Sequence, residues 1–157
     1  MNSKKPNPST GATFQTIIAC VREFHERFGI RNAPALEADL PGETVKLRHR
    51  LMAEETDEYL EAALAGDAVE IADALGDQLY ILCGTILSHG MSHVIEDVFM
   101  EIQASNMSKL GADGKPIYRE DGKVMKGEQY FKPRIAQVLT EDQADFVKAW
   151  TWRHCFI

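Results

Sequence analysis

Three cysteines, Cys20, Cys83 and Cys155, are all that 157 residues contain, and none stands in a Cys-x-x-Cys pair. So sparse and odd a set excludes a disulfide framework and a thiolate zinc site, and points to reduced thiols. No run of 18 apolar residues occurs, so no membrane-spanning helix is predicted. Residues 1–11 carry Lys4, Lys5, Pro6 and Pro8 and no apolar stretch. They do not resemble a secretory signal, and residues 1–12 are expected to be a disordered tail. The expected location is the cytoplasm, with no membrane partner. There is no Gly-x-Ser-x-Gly elbow and no Walker loop, which removes the common nucleophile and P-loop chemistries. No Glu-x-x-His pair occurs among His25, His49, His89, His93 and His154, which removes the di-iron carboxylate bundle. Positive charge is in the minority. The formal net charge of -7 argues against a nucleic-acid partner.

What is present reads as helices. Length and a 45% hydrophobic content fit one globular domain over residues 13–157. Thr13 can cap a first helix whose apolar face is Phe14, Ile17, Ile18, Val21, Phe24 and Phe28, with Gly29 as its stop. A loop punctuated by Pro34, Pro41 and Gly42 follows. A second helix is predicted over residues 43–65, a tight turn at Gly66 and Asp67, and a third helix over residues 68–88. The run Leu79–Leu87 is apolar on every side. A helix of that kind is buried all round, and a small bundle has difficulty covering one, so a homodimer or a dimer of dimers is expected. Ser92 is placed to cap a fourth helix running to about residue 108. Turn pairs Asp113-Gly114 and Asp121-Gly122 then predict a small β-hairpin, with Ile117–Arg119 and Lys123–Met125 as its arms. The expected architecture is all-α. It comprises a four-helix core over residues 13–109, a hairpin and loop extension over 110–134, and a C-terminal helix and tail over 135–157.

Two acidic pairs stand out. Glu55 and Glu58 lie on the second predicted helix, Glu70 and Asp73 on the third. Residues three apart share a helix face. On the second helix the apolar positions Leu47, Leu51 and Ala62 line up with Glu55 and Glu58, which places both acids inward. Buried carboxylates need partners. Oxygen-only ligands without histidine suit a hard divalent cation, Mg²⁺ with Mn²⁺ as a substitute. Glu54, one turn before Glu58, can assist as a ligand or from behind one. The ordinary explanations are a solvent-facing surface for Glu54 and a capping-box position after Asp67 for Glu70. Two such pairs facing across one hairpin favour metal over both. Downstream, residues 109–134 hold seven Lys or Arg against four acids, while the rest of the chain holds ten against twenty. A basic flap beside an acidic core suits a metal-bound polyphosphate. A solvated hairpin with ordinary lysines explains the same composition.

Glu55-x-x-Glu58, an 11-residue spacer and Glu70-x-x-Asp73 resemble the signature of the MazG-like all-α nucleoside triphosphate pyrophosphohydrolases. Ala53-Glu-Glu55, Ile71–Tyr80 and Ser105-Asn-Met-Ser-Lys-Leu110 extend the likeness, as do Asp113-Gly-Lys-Pro116 and the glycine–lysine steps at Gly122 and Lys126. The spacer is at the short end for that family. The resemblance implies a four-helix MazG-like bundle that splits a nucleoside triphosphate between its α- and β-phosphates, giving a monophosphate and pyrophosphate. It implies that Glu55, Glu58, Glu70 and Asp73 hold Mg²⁺, and that Glu54 orients the attacking water beside Glu55 and Glu58. It implies that Lys109 meets the phosphates with Asn106 alongside. Lys126 and Tyr130 are further substrate contacts, or else a surface lysine and a core tyrosine. Asp77 fits a substrate contact or a polar network. Base contacts are expected from the first helix and the loop at 28–42. Phosphoribosyl-ATP is the alternative substrate. A non-catalytic helical dimer acting as an interaction module is the alternative outside enzymes.

Overall fold

The computed structural model describes residues 12–140, so the expectations for the N-terminal tail through residue 11 and for the helix and tail beyond 140 lie outside it. Four helices form: α1 (Phe14–Arg27), α2 (Gly42–Ala65), α3 (Ala68–Ser88) and α4 (Ile95–Met107). Residues 135–140 are also helical. The chain divides into two compact units, Met1–Ser92 and His93–Ile157.

In the first unit α1 and α2 both pack on α3. Thr13 caps α1, its hydroxyl oxygen accepting from the Thr16 amide at 3.2 Å. Ile18, Val21 and His25 are the buried face of α1, and Phe24 meets Tyr80 of α3 edge to face with ring centroids 5.7 Å apart. Gly66 ends α2 in the left-handed region at φ 71°. The next residue starts α3: the Asp67 carboxylate accepts from the amides of Val69 and Glu70. One tight turn thus closes one helix and opens the next, and the hairpin forms as expected.

The loop after α1 is tied to the far end of α3. The Ala33 amide donates to the Leu87 carbonyl and the Glu37 amide to the His89 carbonyl, each at 3.0 Å. Gly90 makes this possible twice over. Its φ is 65°, and a Cβ there would lie 2.0 Å from the Ala35 carbonyl oxygen. Ser92 does not cap α4, whose N-terminal flank is Val94 without a side-chain cap. Its oxygens instead accept from Gln15 and Arg22 of α1, because a short turn at 92–94 intervenes before the helix begins.

The second unit is α4 with a strapped extension. Ser105, buried on α4, donates from its hydroxyl to the Phe131 carbonyl at 2.8 Å, and the Phe131 amide donates to the Ser108 hydroxyl. Arg134 holds Glu101 through both its backbone amide and its guanidinium, which keeps that carboxyl below its ordinary range. The expected hairpin is reduced to one isolated antiparallel bridge, Tyr118 with Val124, and no strand forms among the described residues. The turn chemistry is as read: Asp121 pairs with Arg119 and accepts from the Lys123 amide. The arms are too short and too exposed to extend the ladder.

Candidate metal and nucleotide site

The inward face of α2 is Arg48, Glu55 and Ala62, spaced by seven residues, or two turns. Arg48 and Ala62 are buried and Glu55 is half-buried, whereas Leu47 is 43% exposed. This corrects the stripe read through Leu47. It also corrects the inward placement of Glu58, which is exposed. Three residues beyond Glu55, its side chain leaves the helix about 60° round from the buried line.

Glu55 is the singular residue of this face. Its Oε2 is enclosed, and it is the one buried side-chain polar atom without a hydrogen-bond partner among the described residues. Burial raises its pKa first, and Glu58, Asp77, Asp73 and Glu54 add repulsion, in that order. Its backbone is anchored, because Gln78 of α3 donates from Nε2 to the Glu55 carbonyl at 3.0 Å. That bond sets the register of the hairpin. Glu70 stands eight residues nearer the turn than Gln78, about 12 Å of helix rise. It is not among the acids acting on Glu55, while Asp77, one residue from the Gln78 level, is. Glu70 and Asp73 are both exposed. Glu54 is exposed and approaches Arg50 at 4.0 Å.

The donor chemistry fits a hard cation. An enclosed carboxylate oxygen with no donor, beside four further carboxyls, is a ligand type that hard cations take. Among the described residues no three His, Cys, Asp or Glu side chains are gathered into a ligand set.

In the second unit Lys109 donates from Nζ to the Asn106 side-chain oxygen at 2.7 Å. Lys126 lies over the Tyr130 ring, 4.5 Å from its centroid. The four residues expected to touch substrate are thus arranged as two local pairs, each with a lysine.

Two features escaped the sequence reading. One is Gln78, a neutral residue beside the acids, whose bond to the Glu55 carbonyl carries no pattern. The other is Arg48. Its side chain is buried against α3, where Nε donates to the Thr85 hydroxyl at 3.1 Å and Nη2 to the Ile81 carbonyl at 2.5 Å. The seven-residue spacing to Glu55 and Ala62 was the available signal. Beside it a cavity of about 340 Å³ opens between the loop after α1, α2 and the end of α3, lined by the aliphatic Ile30, Leu40, Pro41, Leu47 and Leu51 and by Arg31, Glu37, Thr44, Arg48 and Ser88.

A family model described as phosphoribosyl-ATP pyrophosphohydrolase matches residues 21–106. Those residues run from α1 to the last turn of α4 and include both acidic pairs. No curated protein matches the chain. A crystal structure from Exiguobacterium sp. 255-15, of a protein provisionally named an NTP pyrophosphohydrolase, is 27% identical in sequence; the match covers 85% of this chain and 97% of that one, with a TM-score of 0.46. No helix among the described residues is long and apolar enough to cross a membrane.

Proposed function

Because the chain belongs to the phosphoribosyl-ATP pyrophosphohydrolase family, we propose that it hydrolyses a nucleotide between its α- and β-phosphates, releasing pyrophosphate and a monophosphate. The MazG-like enzymes that the acidic signature resembles are a related all-α superfamily. We propose a nucleoside triphosphate or its deoxy form as substrate, in clearance of unwanted nucleotides. Phosphoribosyl-ATP is the second reading, favoured by the family match itself. The observation that carries the proposal is the enclosed, unpaired Glu55 oxygen among other carboxyls, within the matched span.

Mg²⁺ is the proposed cofactor, with Glu55, Glu58 and Asp73 to hold it; Glu70, expected beside them, stands about 12 Å of helix rise nearer the turn and does not act on Glu55. Bound there, a divalent cation neutralises phosphate charge and lowers the pKa of water. The chain's own part is positioning. Glu55 is fixed by the Gln78 bond to its backbone. Glu54, loosely paired and exposed, is free to accept a proton from an attacking water. Asn106, Lys109, Lys126 and Tyr130 are proposed phosphate and substrate contacts, and the cavity beside Arg48 is the proposed seat of the base. Phosphoryl transfer of this kind rests on positioning and electrostatics, so no covalent nucleophile is needed.

Glu58 tests the assignment. It is exposed, so Glu58→Gln leaves the fold and melting temperature essentially unchanged. Pyrophosphate release is expected to fall at least 100-fold. A Glu58→Gln protein with full activity removes Glu58 from the site.

A further inference from the structure

Arg48 carries a positive charge at 8% exposure. Buried guanidinium groups ordinarily meet a carboxylate. Here no carboxylate pairs with it among the described residues; its partners are a hydroxyl and a backbone carbonyl of α3. Burial alone lowers its pKa, with no neighbouring acid opposing the shift. The guanidinium is held tightly. A Cβ on Gly84 would lie 2.6 Å from its Nη2, so the guanidinium sits close against the α3 backbone at a glycine. The neighbouring His25 ring is fixed by Asn32 at 2.8 Å. Burial is the main cause that keeps this ring below its ordinary pKa, with Arg48 and Arg22 adding to it. Among the described residues Nη1 has no protein partner, and it is not sealed in, since the one enclosed unpaired side-chain atom there belongs to Glu55. Arg48 also lines the cavity.

The cavity tells which ligand suits those donors. Its volume of about 340 Å³ is at the small end of ligand pockets; half of its lining residues are aliphatic, and besides Arg48 its charged residues, Arg31 and Glu37, are paired with each other. A phosphate there would face the Glu37 carboxylate, which already takes Arg31, and the aliphatic side chains of Ile30, Pro41 and Leu51. A flat ring with one acceptor on its edge would not. Along α2, Arg48 and Glu55 share a face seven residues apart, about 10 Å of rise. A nucleoside covers such a span between its phosphate and the far edge of its base.

Resting on the proposed nucleotide hydrolysis, we infer that Arg48 is a specificity-determining residue: it donates to a carbonyl oxygen on the edge of a base seated in this cavity, and disfavours bases that present an amino group there. Arginine has only donors. An amino group facing it leaves two desolvated N–H groups without acceptors, and the wrong partner is penalised. Uracil against cytosine, and guanine against adenine, differ in this respect at one edge.

The test uses the full chain with Mg²⁺. The ratio of kcat/KM for deoxyuridine over deoxycytidine triphosphate, and for the guanine over the adenine nucleotide, is measured in wild type, Arg48→Gln and Arg48→Lys. Binding of the uracil and cytosine monophosphates is followed in parallel by calorimetry, which needs no turnover. Wild type is expected to favour the carbonyl member of whichever pair it accepts by roughly 10- to 100-fold. The preference collapses toward unity in Arg48→Gln, and Arg48→Lys, which keeps the charge but not the fork, recovers only part of it. If Arg48→Gln does not fold, the wild-type ratios and Arg48→Lys decide. Hydrolysis with no carbonyl preference, or a preference that Arg48→Gln retains, overturns the role of Arg48 and leaves the hydrolase reading standing. Selective binding of the uracil monophosphate without hydrolysis of any nucleotide does the reverse. Neither turnover nor binding overturns both.

Discussion

Glu55 holds a carboxylate oxygen that no donor in the described structure satisfies. Folding raises its pKa, chiefly by burial and then by the acids around it. A raised carboxyl pKa favours the fold below the ordinary carboxylate range, and the contribution is lost as pH rises through the raised value. At neutral pH the ionised group is therefore a cost to the metal-free protein. Glu55→Gln is expected to melt higher than wild type at pH 7 without metal, by no more than about 2 °C because the half-buried carboxyl is partly screened by solvent. The gain should vanish near pH 4. Adding Mg²⁺ should raise the melting temperature of wild type and not that of Glu55→Gln. Calorimetry with and without Mg²⁺ reads both. A variant that melts below wild type at pH 7 contradicts the account of this residue. The sequence placed Glu55 inward but carried Glu58 with it, because i and i+3 share a broad face without sharing a buried line. It offered nothing for Arg48, since a lone arginine between leucines looks like a surface residue until the seven-residue spacing to Glu55 is noticed.

Elements were the most legible level. Capping residues fix local hydrogen bonds, so Thr13, Gly66 and Asp67 set the start of α1 and the α2–α3 turn where the sequence places them. What failed depended on distant partners. Ser92 is claimed by Gln15 and Arg22 of α1, and the 117–125 arms keep only one bridge. Gly90 was legible as a helix stop, but its larger task, letting the Ala35 carbonyl pass, is a tertiary contact. Two glycines separate these effects. At Gly66 a Cβ meets nothing within 4 Å, so Gly66→Ala pays only for a left-handed backbone, about 1–2 kcal/mol. At Gly90 the same strain is joined by a clash with the Ala35 carbonyl. Gly90→Ala is expected to cost about 3 kcal/mol or more and to disturb the loop that lines the cavity. Urea midpoints of the two variants check the order; equal losses would refute the close approach.

For the molecule as a whole, the all-α class was legible because every long apolar pattern repeats at helical period. A partner for α3 is proposed from its exposed face. Cys83, Ile86 and Leu87 are buried within the single chain, but Leu75, Leu79 and Leu82 form a stripe 49%, 37% and 46% exposed. Spaced by four and three residues, they present one face of α3, a face that we propose a second copy of the chain covers. Light scattering at micromolar concentration is expected to give twice the chain mass, and Leu82→Glu to give a folded monomer. A wild-type monomer would defeat the dimer.

Cleavage between the α- and β-phosphates, assisted by a divalent cation, is the proposed reaction. The direct measurement is product analysis by phosphorus NMR after incubating the protein with a panel of nucleoside triphosphates and with phosphoribosyl-ATP, in Mg²⁺ and in chelator. A monophosphate and pyrophosphate are expected from at least one of these nucleotides, in Mg²⁺ only. No turnover on any of them, or a diphosphate with orthophosphate, would contradict it.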